Sequence, residues 1–359
     1  MASSGADAAA VATRAHRAEN LPWVEKYRPR NVDEVSHQTE VTDTLRNSLE
    51  QKNLPHLIFY GPPGTGKTST ILACARQLFG ADYKSRVMEL NASDERGIAV
   101  VRTKIKGFAQ VAVTSSGPNG PPPYKLIVLD EADSMTQDAQ SALRRTMETY
   151  SRVTRFCIIC NYITRLIPPI ASRCAKFRFK ALPADAMSGR LRHIASAEGV
   201  DIPDDALTEL MAQSEGDMRR AIQMLQSLHQ LHGCTIAPQA VLDISGSLPK
   251  ERVTKVLAVV CKSSAGDGTQ GAAAFDALQA VAADLLADGY PVSQLATQLL
   301  EAVLADALPT PLSSVQKAKL AVQLAELDKS LTDGADECLQ LTNLLAFCQR
   351  TCAQPVPVR

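Results

Sequence analysis

The spacing of apolar and polar positions divides the chain into three stretches. Between about residues 20 and 180, short apolar runs alternate with amphipathic segments. His56–Tyr60 (HLIFY), Val87–Leu90, Leu126–Leu129 (LIVL) and Phe156–Cys160 (FCIIC) are too short for helices and predict buried strands. Ser69–Leu78, Gly97–Ala109 and Asp138–Tyr150 carry helical spacing between them. Such alternation implies a parallel sheet with helices on both faces. Ser115–Pro123 (SSGPNGPPP) can continue neither element and predicts a loop. From about 181 to 245 the strand signals fade and three helices are expected: Ala184–Glu198, Asp204–Ser214 and Asp217–Leu231. Pro203 and Gly216 punctuate them. Beyond about 250 the pattern is helical throughout, with Leu295, Leu299 and Val303 on one face and Leu300, Leu304 and Leu308 beside it. The expected organisation is an Ala/Ser-rich disordered tail at 1–19, an α/β domain at 20–180, a small helical domain at 181–247 and an all-helical domain at 248–359.

Composition narrows the function classes. The 359 residues carry 38 basic and 38 acidic side chains, which excludes a polybasic coat but not a local basic face. Hydrophobic content of 45% with 21% charged residues excludes a mainly disordered chain. No run reaches the ~18 apolar residues of a membrane-spanning helix, so no membrane partner is expected. Nine irregularly spaced cysteines point to reduced thiols inside a cell. The one CxxC, Cys157–Cys160, falls on a strand, where residues three apart point to opposite faces, so it predicts core packing and not a metal site. A transit peptide at the start is disfavoured because Asp7 and Glu19 interrupt its basic character. Residues 251–359, with 8 basic and 12 acidic side chains, carry no recognisable chemistry beyond packing.

Gly61-Pro62-Pro63-Gly64-Thr65-Gly66-Lys67-Thr68 fits GxxxxGK[ST] between a predicted strand and the predicted helix beginning at Ser69. Glycines let backbone N–H groups curl around phosphates, and the helix N-terminus adds partial positive charge. Lys67 would reach the β/γ-phosphates and the Thr68 hydroxyl would ligate Mg²⁺. Leu126-Ile-Val-Leu-Asp130-Glu131 ends a strand in two carboxylates, Asp130 placed for Mg²⁺ and Glu131 for polarising an attacking water. Asn161 follows the last strand at the carboxyl edge, where an open α/β sheet binds its ligand. Together these predict nucleotide binding with Mg²⁺ and hydrolysis by water.

Three further features leave alternatives open. Arg219 opens a helix of the second domain and either bridges to the phosphates or is solvated. Residues 151–180 hold seven basic side chains and no acidic one, so this stretch either touches nucleic acid or offers an arginine, Arg173, to a neighbour's nucleotide. Arg102 and Lys106 share one helical face and either track a phosphate backbone or form a solvated basic face.

In this order the motifs resemble those of the AAA+ ATPases, and more narrowly the small subunits of replication factor C, the eukaryotic clamp loader. The similarity runs from Leu21-Pro-Trp-Val-Glu-Lys-Tyr-Arg-Pro29 through Gly61–Thr68, Asn91–Gly97, Leu129–Asp133, Phe156–Asn161 and Ser172-Arg-Cys174 to Gly216-Asp-Met-Arg219. It implies an AAA+ domain with a parallel sheet, a helical lid and a helical collar through which subunits of a hetero-pentamer associate. It further implies a nuclear ATPase that opens the sliding clamp PCNA and closes it around primer–template DNA in replication and repair. By the same resemblance Val24, Arg28 and Val35 would line the adenine pocket. Asn161 and Arg219 would be the two sensors, Arg173 would act on the adjacent subunit's ATP, and Arg102 and Lys106 would contact DNA. Val35–Asn53 and Asp138–Tyr150 would face the clamp. The competing expectations are a self-assembling AAA+ remodeller of helicase type and a scaffold that binds ATP without hydrolysing it.

Overall fold

The computed structural model describes residues 21–35, 38–93, 101–111, 120–262, 271–305 and 312–353. The 1–19 tail, most of the Ser115–Pro123 loop, the end of the Asn91–Gly97 motif and Leu308 lie outside the described residues. The chain forms two compact units, Met1–Ile236 and Ala237–Arg359.

The first unit opens with α1 (Trp23–Lys26) and α2 (Thr39–Glu50), followed by β1 (Leu57–Tyr60), α3 (Lys67–Phe79), α4 (Tyr83–Arg86) and β2 (Val87–Asn91). After a π-helical turn at Val101–Ile105 come α5 (Lys106–Gln110), β3 (Lys125–Asp130), α6 (Gln137–Thr149), β4 (Thr154–Cys160), α7 (Pro168–Ala171) and β5 (Ala175–Arg178). All strand pairs are parallel, in the order β2-β3-β4-β1-β5. Side chains alternate across the sheet. Leu57, Phe59, Leu126, Val128, Cys157 and Ile159 pack with α2 and α3 on one face. Ile58, Ile127, Leu129, Phe156, Ile158 and Cys160 pack with α6 and α7 on the other. Cys157 and Cys160 therefore lie on opposite sides of the sheet in separate cores, and burial raises both thiols above their usual pKa.

A fifth strand was absent from the sequence expectation. The segment at β5 alternates Lys176, Phe177, Arg178 and Phe179, the pattern of an edge strand with only one face buried. Phe179 packs into the core against Phe59, and the exposed cations protect the open edge.

Three helices complete this unit: α8 (Ala184–Glu198), α9 (Asp204–Ser214) and α10 (Met218–His232). They bury Met187, Leu191, Ile194, Leu207, Leu210, Leu225 and Leu228. Pro183 and Pro203 immediately precede α8 and α9, and Gly199 ends α8 with φ 69°.

The second unit contains α11 (Pro238–Ser245), α12 (Lys250–Lys262), α13 (Gly271–Ala287), α14 (Val292–Leu304), α15 (Ser314–Thr332) and α16 (Glu337–Ala353). Its core gathers Leu295, Leu299, Leu324, Leu327, Leu341, Leu344 and Leu345. Val303 is also buried, whereas Leu304 is 62% exposed, so the apolar stripe of α14 is narrower than its leucine content suggests. Residues 237–247, grouped with the small helical domain on sequence, belong to this second unit by packing. Among the described residues no helix is long and apolar enough to cross a membrane.

Candidate functional site

The chain leaves β1 at Tyr60 and turns through residues 61–66 into α3. Gly61, Gly64 and Gly66 take φ values of 141°, 68° and 90°, conformations that favour glycine. Two of them also need the missing side chain. A Cβ on Gly61 would lie 2.2 Å from the Phe179 carbonyl oxygen, and one on Gly64 would lie 1.7 Å from Asp217 Oδ1. The phosphate-loop geometry thus depends on edge strand β5 and on the start of α10. Gly66 precedes the first helical residue, Lys67, so α3 begins two residues earlier than expected.

Lys67 is 8% exposed, and its ammonium donates to the carbonyls of Gly61 and Pro62 at 2.9 and 2.8 Å and to Asn161 Oδ1 at 3.0 Å. Burial lowers its pKa, with nearby Asp130 opposing. The Thr68 hydroxyl donates to Asp130 Oδ2 at 2.7 Å, and the other oxygen of Asp130 accepts from the Glu131 N–H at 2.9 Å. Glu131 itself is exposed and sits in the left-handed region (φ 52°, ψ 38°), uncommon for a residue with a side chain. The Ser134 hydroxyl donates back to its carbonyl. Strand β3 therefore ends with one carboxylate fixed against Thr68 and a second left in solvent beside it.

These groups line one cleft of about 220 Å³, together with Val24, Arg28, Val35, Pro63, Thr65, Ser69 and Arg219. Gly61 and Pro62 contribute through their carbonyls on Lys67. The oxygen donors of Thr68 and Asp130 suit a hard divalent cation. Among the described residues no three His, Cys, Asp or Glu side chains converge.

The helical domain closes one side. Asp217 caps α10, accepting from the Arg219 and Arg220 N–H groups at 2.7 and 3.2 Å, while Arg219 and Ile222 face the cleft. Tyr27 and Arg190 also line it, and sequence reasoning missed both. Arg190 donates to the Tyr27 carbonyl at 2.6 Å, and the Tyr27 hydroxyl donates to Glu198 at 2.6 Å, contacts that span more than 160 residues and leave no local signal. Burial and the Glu198 bond push the Tyr27 phenol up to about 12.

The remaining candidates lie apart from the cleft. Arg173 is exposed and paired with Glu148. Lys106 is exposed on α5, whereas Arg102 belongs to the preceding π-helical turn, and its side chain lies outside the described residues. Of the two segments expected to face a clamp, α2 carries most of the first, whose opening residue Val35 lines the cleft, and α6 carries the second.

Comparison with known proteins gives this arrangement a family. Residues 57–182 match the ATPase family associated with various cellular activities, residues 189–229 an RCF1/5-like AAA+ ATPase lid domain, and residues 270–347 the replication factor C C-terminal domain. A solved RuvB variant from Thermotoga maritima shares the fold, with TM-score 0.51 and 18% identity over 79% of this chain and 99% of that one. Replication factor C subunit 2 of Oryza sativa subsp. japonica is 54% identical over 90% of this chain and 92% of its own length. Replication factor C subunit 4 of Homo sapiens is 50% identical over 94% and 90%. With three domain signatures in order and this identity along nearly its whole length, the chain belongs to the replication factor C family of AAA+ ATPases, among relatives named subunits two and four.

Proposed function

We propose that the chain is an ATP-hydrolysing subunit of the pentameric clamp loader, acting in the nucleus with the other replication factor C subunits to place PCNA on primer–template DNA. The carrying observation is the cleft in which Lys67, Thr68, Asp130 and Asn161 are already joined by hydrogen bonds.

ATP enters with its adenine toward Val24, Arg28 and Val35 and its phosphates in the curl of Gly61–Ser69. Lys67 exchanges carbonyl partners for phosphate oxygens, which answer its charge more fully than neutral carbonyls do. Mg²⁺ would be held by Thr68 and Asp130 and would neutralise charge on the phosphates. Glu131, free in solvent, accepts the proton of the attacking water, and Asn161, whose Oδ1 already meets Lys67, orients the reacting end. Arg219 reaches the phosphates from the lid. Arg173 lies outside this chain's own cleft, which supports its action on the adjacent subunit's ATP. Arg102 and Lys106 would contact the DNA backbone.

Lys67→Ala removes the one buried ammonium of the cleft, and nucleotide titration of the purified variant should show binding lost. Near-normal affinity would place the phosphates elsewhere.

A further inference from the structure

The guanidinium of Arg173 is held by other groups of the chain. Helix α7 ends at Ala171, and Cys174, three residues further on, is buried and anchors the turn. From this turn Arg173 Nη1 donates to the Pro169 carbonyl at 2.7 Å and Nη2 to Glu148 Oε1 at 2.5 Å. Glu148 is the penultimate residue of α6, and the same oxygen accepts from Arg144 Nε, one turn earlier, at 3.0 Å. A single exposed carboxylate oxygen thereby joins two guanidinium groups from different elements. The two arginines hold the Glu148 carboxyl below the usual carboxylate range.

Charge and geometry assign this trio a purpose beyond folding. A single exposed ion pair adds little to stability, and here two cations share one carboxylate oxygen. The Arg173–Glu148 pair is neutral by itself, and Arg144 returns the cluster to a net single positive charge. A guanidinium carries five N–H donors in one plane. The two anchoring bonds use one N–H on each of Nη1 and Nη2, which leaves three of the five donors for an anion.

We propose that Glu148 is the positioning residue for Arg173, setting the guanidinium plane that meets a phosphate bound to the adjacent subunit, with Arg144 supplying the charge that Glu148 would otherwise cancel. This rests on the reading of Arg173 as acting in trans. Misplacing a catalytic group by about 1 Å can cost on the order of 10²-fold in rate, so loss of the anchor falls well short of losing the arginine, worth roughly 10³–10⁵-fold.

The test is steady-state phosphate release by the full hetero-pentamer carrying substitutions in this subunit, with Arg173→Ala defining the floor set by the other interfaces. Glu148→Ala should lower the Arg173-dependent part of turnover by at least about 10-fold, within the range expected for a misplaced group. Glu148→Gln, which keeps an acceptor oxygen, should recover part of it. Neither should move the urea midpoint of the isolated subunit or its own nucleotide affinity. In the Arg173→Ala background, Glu148→Ala should have no further effect. Undiminished or raised turnover in Glu148→Ala, or an equal fall in the Arg173→Ala background, overturns the positioning role while leaving the trans arginine standing. Turnover untouched by Arg173→Ala overturns both.

Discussion

Gly64→Ala measures how closely the phosphate loop is seated on the helical domain. Gly64 has φ 68°, and its Cβ would fall 1.7 Å from Asp217 Oδ1 and 2.2 Å from Asp217 Cγ. A left-handed conformation costs an L-residue about 1–2 kcal/mol. Moving the loop does not relieve the clash, because Gly61 is itself pinned against the Phe179 carbonyl. Asp217 must swing away, and its bonds to the Arg219 and Arg220 N–H groups go with it. Losing an N-cap costs about 1 kcal/mol, with a range of roughly 0.5–2. The sum is about 1.5–4 kcal/mol. Gly199 supplies the control, since its φ is 69° and a Cβ there meets nothing within 4 Å, so Gly199→Ala should cost only the backbone term of about 1–2 kcal/mol. Urea unfolding of the two variants at equal slope should separate them by the cap energy. A fluorescent nucleotide should bind normally to Gly199→Ala and weakly to Gly64→Ala, because displacing Asp217 loosens the turn that presents Arg219. Equal midpoints and equal affinities would refute the wedge between loop and lid.

Three other outcomes follow from the same structure. Glu131→Gln should bind ATP normally and lose hydrolysis at this site, measured by single-turnover phosphate release from this subunit's nucleotide; unchanged release would favour a scaffold that binds without hydrolysing. Replacing Arg102 and Lys106 with alanine should weaken DNA binding of the assembled complex for every sequence and reduce its logarithmic salt slope by up to about 2; an unaltered slope would turn both side chains toward solvent. His56 is held neutral, its pKa lowered from 6.5 to about 4 first by burial and then by Arg155, while its Nδ1 accepts the Phe156 N–H at 3.1 Å. The unfolded chain therefore binds this proton first. The stabilisation is complete above pH 6.5 and is lost as pH falls toward 4, by up to about 3 kcal/mol. Urea midpoints of His56→Asn, which keeps an acceptor without the titration, should fall less between pH 7 and 5 than those of the native chain, and parallel curves would assign the acid sensitivity elsewhere.

Much of this architecture is legible in the sequence because its signals are local. Three strands are apolar runs, while β2, expected to be buried, is the half-exposed opposite edge and carries Glu89 among Val87, Met88 and Leu90; α8 and α9 begin and end where expected, since Pro183, Pro203 and Gly199 mark their limits chemically. The loop at Gly61–Thr68 is readable for the same reason, as contiguous residues do one task. The fifth strand escaped because an edge strand buries one face only, and Lys176-Phe177-Arg178-Phe179 reads as a basic stretch unless tested for period two. Long-range partners leave no such trace. Nothing near Gly64 announces Asp217, and nothing near Arg173 announces Glu148, 25 residues earlier. Arg190 reaches the cleft by binding a backbone carbonyl, which constrains no residue type at Tyr27.

Those hidden contacts explain how one nucleotide can govern two domains. The segment Trp23–Tyr27 precedes the sheet domain yet is fastened to the lid. The Trp23 N–H donates to Gln226, its ring stacks on His229 at 5.4 Å, and Lys26 and Tyr27 share Glu198. Five residues later Val32 is tied to the sheet domain, its N–H donating to Gln77 on α3. The chain thus passes from lid to sheet domain through Arg28–Asn31. It returns through Ala181–Pro183, between Phe179, bonded to β1, and the start of α8. Arg28, Pro29 and Leu182 from these two crossings all line the cleft. A ligand held there sits on the hinge itself, touching the strap, the loop and the Arg219 end of α10 together. If a nucleotide meets these three elements at once, binding selects the lid angle that satisfies all of them.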